Sequence, residues 1–200
     1  MKRYNGAEAK KMTSREQLPV GGYQVKIINA KEEQFDWGNR LAIAFDIADG
    51  PYAGFFQRDF DAQTGEDRKW RGVYRVYEPK DDGSEKDEWT KKSFNNLIYS
   101  LEDSNLGYHL DWGPIENGDF SQLKGKLLGV LFRNEEWEMD TSGGYKTGWS
   151  SRPCASVSIG DIKDGKFKMP ADKPLKNKGG SYGGSFAPIP EGANEEDLPF

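Results

Sequence analysis

The chain has 200 residues, a net charge of −5 and 35% apolar residues, and no run approaches the roughly 20 apolar residues needed to cross a bilayer. Twenty-six residues are Phe, Trp or Tyr, too many for a solvated coil, so an aromatic core with polar appendages is expected. One cysteine, Cys154, and one histidine, His109, exclude an internal disulfide and starve zinc and His-paired nucleophile schemes of their parts.

The opening MKRYNGAEAKK has no apolar stretch that reads as an export signal, which predicts a cytoplasmic protein, in the host cell if the chain is phage-encoded. Residues 1–17 form a polar arm. Order begins near Leu18: Tyr23, Val25 and Ile27 alternate in "LPVGGYQVKIINAKEE", the period of a half-buried strand. In "RLAIAFDIAD", Leu41, Ile43, Phe45 and Ile47 alternate with Ala42, Ala44, Asp46 and Ala48, the clearest strand of the chain. Between these strands Gly38 and Asn39 supply turn chemistry, with Phe35 and Trp37 close to the tip.

After Asp49-Gly50-Pro51, "YAGFFQRDFDA" and "DRKWRGVYRVYEP" are rich in aromatic and β-favouring residues and predict further strands, ending near Tyr77. A charged loop follows. The period then changes: Trp89, Phe94, Leu97, Ile98 and Leu101 fall on one side of a helix spanning residues 87–103. From Lys126 to Glu138 a long strand is expected, and "DTSGGYKTG" turns it into a second hairpin strand. The domain spans residues 18–172. Residues 173–190, with a Gly/Ser centre, read as a flexible linker, and 191–200 as an acidic tip.

Three or four strands, a helix and two strands predict an all-β fold with one helix, a five-stranded oligonucleotide-binding barrel with the helix between its third and fourth strands. A β-sandwich with one helix fits the same order. Removing Glu191, Glu195, Glu196 and Asp197 leaves 28 basic against 29 acidic side chains, so the body is close to neutral and has room for a basic stripe.

Catalytic patterns are scarce. "DFDAQTGED" starts like a calcium loop, but Gly65 comes one place late and Trp70 stands where the bidentate glutamate belongs. No phosphate-cradling glycine spacing occurs. No enzyme, metal or cofactor is expected, and His109 and Cys154 read as packed or surface residues.

Aromatic and basic residues interleave instead. Single strands are held by rings that stack on bases and by cations that follow phosphates. The candidates are Phe35, Trp37 and Arg40 at the first hairpin; Phe55, Phe56 and Arg58; Lys69, Trp70, Arg71, Tyr74, Arg75 and Tyr77; and Arg133, Trp137, Tyr145, Lys146, Trp149 and Arg152 on the last hairpin. The competing reading makes strand aromatics core and alternating arginines a solvated face. Phe35, Trp37, Tyr145 and Trp149 rank first because turns make burial harder to arrange.

The chain ends "NEEDLPF". Glu195, Glu196, Asp197, Leu198, Pro199 and Phe200 read as a partner-binding tip, an apolar pair for a pocket with acids to meet basic residues around it. The pattern of linker and Asp-Leu-Pro-Phe tip resembles bacterial single-stranded DNA-binding proteins. The pieces "LPVGGYQVKI", "RLAIAFDIADGPYAG", "FNNLIYSLEDSN", "DFSQLKGKLLGVLFRNEEW" and "IGDIKDGKFKMP" are similar to a family of phage and prophage proteins of Gram-positive hosts. The resemblance implies a non-enzymatic coat for single-stranded DNA in replication or recombination, whose tip recruits helicase, primase, polymerase-loading or nuclease components. It leaves open whether the chain forms a homo-oligomer. The alternatives are a β-rich carbohydrate- or protein-binding module and a Mg²⁺-dependent nuclease.

Overall fold

The computed structural model describes residues 16–64, 66–141 and 144–176. Its strands are β1 (Gly21–Glu33), β2 (Arg40–Ile47), β3 (Val73–Tyr77), β4 (Leu127–Thr141) and β5 (Gly144–Val157). They pair antiparallel in one open sheet, in the order β3-β2-β1-β4-β5. The helices are α1 (Phe55–Asp61), α2 (Glu85–Ser104), α3 (Trp112–Glu116) and α4 (Ile159–Asp164). The molecule is therefore mostly β, with few helices. None of the described helices is long and apolar enough to cross a membrane.

Alternation builds the core. Leu41, Ile43, Phe45 and Ile47 of β2 meet Val25 and Ile27 of β1, Leu128, Val130 and Phe132 of β4, and Tyr74 and Val76 of β3 on the inner side of the sheet. Each such side chain contributes about 1.5–3 kcal/mol when fully buried. Leu97 and Leu101 of α2 close this core from below, with Phe120 and Leu123 of the following turn. The outermost strands also approach one another. Tyr74 of β3 is 3% exposed and its phenol lies near Ser156 of β5, whose backbone oxygen accepts from Asn96 Nδ2 of α2 at 2.6 Å. Burial dominates the environment of the Tyr74 phenol and raises its pKa, against the lowering effect of Ser156.

The outer side of the sheet is divided. Over β1 and β4 it is covered: Gly22 and Gly129 lie so close to Ile162 and its neighbours that a Cβ on Gly129 would come within 2.5 Å of the Val157 carbonyl and 2.7 Å of Ile162. Residues 159–167 thus seat on a glycine-lowered surface. Lys173 adds a parallel bridge to Glu135, donating to Asn134 O and accepting from Glu136 N, both at 2.9 Å. This cover lies over the start of β1 and over β4.

Several expectations need correction. "YAGFFQRDFDA" holds α1, not a strand. Asp46 accounts for it: its carboxylate accepts from the Phe56 amide at 2.9 Å and the Gln57 amide at 3.2 Å, and Gly54 enters the helix at φ 71°. β3 is only Val73–Tyr77, so Trp70 and Arg71 precede it. Gly72 sits where a Cβ would fall 2.4 Å from Phe45 O and 2.7 Å from the Phe56 ring, which brings the approach to β3 flat against α1. The long helix starts at Glu85, capped by Ser84, and its Trp89 is exposed. The last hairpin strand ends at Val157, and Ser158 caps α4 directly after it. The polar arm up to residue 15, the linker from 177 and the tip lie outside the described residues.

Candidate nucleic-acid interface

Strand register assigns each candidate to a side of the sheet. A bulge between Ile27 and Asn29 shifts the phase of β1, so Asn29, Lys31 and Glu33 share the outer side with Ala44, Ala42 and Arg40 of β2. The β2–β3 register extends these rows: Ala44 faces Val73, Ala42 faces Arg75, and Arg40 faces Tyr77. Cross-strand neighbours of this kind have Cβ atoms about 5 Å apart. Ala42 and Ala44 form a low floor, with Lys31, Arg40 and Arg75 standing around it.

At one end of this floor is a ring cluster. Phe35 and Trp37 stack on one another, with centroids 4.8 Å apart and planes 12° apart. The Arg40 guanidinium lies over the Phe35 ring at 4.8 Å, and Tyr77 meets Trp37 edge-on at 5.5 Å. Trp37 remains 38% exposed. Offset and edge contacts of this sort hold aromatic pairs in place, so the tip is pre-arranged. A Cβ on Gly38 would lie 2.8 Å from Cε of Lys80, which shows the Lys80 stem lying across the turn.

Glu33 joins the arginines. Its Oε2 accepts from Arg40 Nε at 2.6 Å and from Arg75 Nε at 3.2 Å. Burial acts most strongly on this carboxyl and in the raising direction, but the hydrogen bonds and charges of Arg40 and Arg75 outweigh it and hold its pKa below the ordinary glutamate value. Two guanidinium charges and one carboxylate leave the group positive.

The second patch is the hairpin of β4 and β5. Register puts Arg133 opposite Arg152, Glu135 opposite Ser150, Trp137 opposite Gly148 and Met139 opposite Lys146, all on the outer side of the sheet. Gly148 makes room for Trp137, whose indole would lie 2.6 Å from a Cβ there. The inner side of the same hairpin, beyond the core, pairs Glu136 with Trp149, Glu138 with Thr147 and Asp140 with Tyr145. The hairpin thus has a cationic face with one acid, Glu135, and an acidic face.

The candidates therefore separate. Phe35, Trp37, Arg40, Arg75 and Tyr77 come together, and Arg133, Trp137, Lys146 and Arg152 lie on the same outer side of the one sheet. Tyr145 and Trp149 are exposed, 50% and 43%, but stand among carboxylates. Phe55, Phe56 and Tyr74 are buried in the core, so their rings have no face to offer a ligand. Trp70 is half-buried, its Nε1 donating to Phe45 O at 3.2 Å and Gly72 O at 3.1 Å. Arg71 pairs with Asp59 at 3.6 Å, Arg58 donates to Ala53 O, and Lys69 is exposed beside Gln63. Glu195 to Phe200 lie outside the described residues.

Sequence reasoning missed Glu33, Lys31 and the alanine floor. The small residues alternating with Leu41, Ile43 and Phe45 were the available signal. Cys154 is held in a packed site, its thiol pushed up to about 11 chiefly by burial, with Arg133 lowering and Glu135 raising it. Among the described residues no group of three His, Cys, Asp or Glu side chains is placed to hold a metal ion. No protein-family profile matches the chain, and no curated protein matches it.

Proposed function

We propose that the chain is a sequence-tolerant binder of single-stranded DNA, built on an oligonucleotide-binding barrel, and acting in replication or recombination without catalysis of its own. The barrel reading is supported by the order β3-β2-β1-β4-β5, by α2 lying between β3 and β4, and by the approach of the two outermost strands, β3 and β5, to one another. In that architecture nucleic acid lies across one outer face and its flanking loops.

The observation that carries the functional reading is the coincidence of rings and cations on the outer side of the sheet: Trp37, Phe35 and Tyr77 beside Arg40, Arg75 and Lys31, with Trp137, Arg133, Arg152 and Lys146 further along. A base stacked on an aromatic ring contributes about 1–3 kcal/mol irrespective of its identity, and the cations attend the phosphates. The acidic inner side of the hairpin opposes phosphate, so the strand follows the outer side only. The motif Asp197-Leu198-Pro199-Phe200, by its resemblance to bacterial tips, recruits replication or recombination enzymes to the coated strand.

Gel shifts of an unstructured oligothymidylate and of a duplex of equal length, each at two salt concentrations, test this reading. Preference for the single strand and weakening with salt are expected. Equal affinity for duplex, or binding that ignores salt as a sugar- or peptide-binding module would show, overturns it.

A further inference from the structure

The geometry points to an anion subsite spanning Arg40 and Arg75, in which the Glu33 carboxylate is a resident competitor for one phosphodiester of the bound strand. This rests on the reading of the outer face as a single-strand platform and adds the place of a phosphate within it.

Three observations lead there. One carboxylate oxygen is shared by two guanidinium groups, at 2.6 Å and 3.2 Å, an arrangement that a phosphate oxygen reproduces with the same donors. The residue of β2 beneath the pair is Ala42, facing Arg75 on one side and Lys31 on the other, so nothing taller than a methyl separates β1 from β3 at this level. The subsite also adjoins the rings: Arg40 lies over Phe35 and faces Tyr77 across the strands, which puts an anion here next to a base on Trp37.

Glu33 is displaceable. Its side chain is 17% exposed, against 24% for Arg40 and 44% for Arg75, so the Arg75 pair is partly hydrated and individually weak, and the shorter Arg40 pair is the one a phosphate must replace. A strand that also gains a stacked base displaces it, whereas a free phosphate has no such compensation. The carboxylate thereby keeps both arginines aligned when no strand is bound and lowers the affinity for stray anions.

The test is Glu33→Gln, measured by fluorescence anisotropy with an oligothymidylate over a range of salt. Removal of the competing carboxylate predicts several-fold tighter binding at low salt, with the log–log salt slope little altered because the same phosphate occupies the subsite in both chains. In an Arg75→Ala background the same substitution gains much less, because one of the two donors is gone. Melting curves establish that each variant is folded. Weaker or unaltered binding by folded Glu33→Gln overturns the inference while leaving the platform intact; it would mean that Glu33 serves only as a strut for Arg40. Failure of the unaltered chain to bind the oligonucleotide removes both.

Discussion

Trp37 and Trp149 separate stacking from mere exposure. Both are exposed and both stand on hairpins, yet Trp37 sits with Arg40 and Tyr77 while Trp149 faces Glu136 across the strands. Trp37→Ala is expected to weaken oligothymidylate binding by about tenfold, within the range of one lost base stack, with little change in melting temperature because the ring is not core. Trp149→Ala is expected to leave binding nearly unaltered. Equal losses for the two, measured by anisotropy, would mean that the acidic inner side of the β4–β5 hairpin does not exclude the strand. The residue types of the outer-side cluster were legible in the sequence, but their faces were not. Counting by twos from Val25 and Ile27 turns Lys31 and Glu33 inward; the extra residue at Ile28 turns them outward, and no local pattern announces it. A second bulge, between Leu131 and Phe132, equally disguises the phase of β5 from Cys154 onward.

At the level of elements, the start of α2 anchors the ring cluster. Asp87 Oδ1 accepts from the amides of Lys80 and Asp81 at 2.7 Å and 3.1 Å, and its other oxygen faces Lys91 Nζ at 3.0 Å. Asp81 takes φ 56° in this loop, a left-handed conformation that a non-glycine residue adopts at some cost. The Lys80 stem then lies on Gly38, so the loop links helix and hairpin tip. Burial acts most strongly on Asp87 and raises its pKa, but Lys91 and the two amides prevail and hold it below the ordinary aspartate value. A carboxyl depressed in the folded state contributes stability above its unfolded pKa and loses it as pH falls through the folded one. Asp87→Asn is therefore expected to lower the melting temperature at neutral pH, with the difference from the unaltered chain shrinking as pH drops below about 4. A constant difference across that range would contradict the ion-pair account. The helix itself was readable from its apolar spacing and acidic start. The first-turn aspartate as a loop anchor was not, because an acid at a helix N-terminus ordinarily reads as solvated.

For the whole molecule, the succession of elements along the chain was largely legible and the approach of the outermost strands was not. Strong alternation in β2 and the change of period at α2 carried the order of elements. Misreading α1 as a strand came from Phe55 and Phe56, a short aromatic run that fits either state and is decided by the distant Asp46 cap. The approach of β3 to β5 is a tertiary matter: the buried Tyr74 phenol lies near Ser156. Tyr74→Phe keeps the ring and removes the hydroxyl beside Ser156. A loss of about 1 kcal/mol is expected, read as a lower urea midpoint with the slope unaltered. An unaltered midpoint would show that the outermost strands are held together by packing alone.

The central claim is that phosphates run along the cationic outer side of this sheet. Its most direct measurement is the affinity of the full chain for an oligothymidylate, followed by anisotropy from low to high salt. The account predicts a linear fall of log affinity with log salt, with a slope of about −0.7 for each phosphate held by the outer-face cations. A flat response, or no binding at low salt, would contradict it.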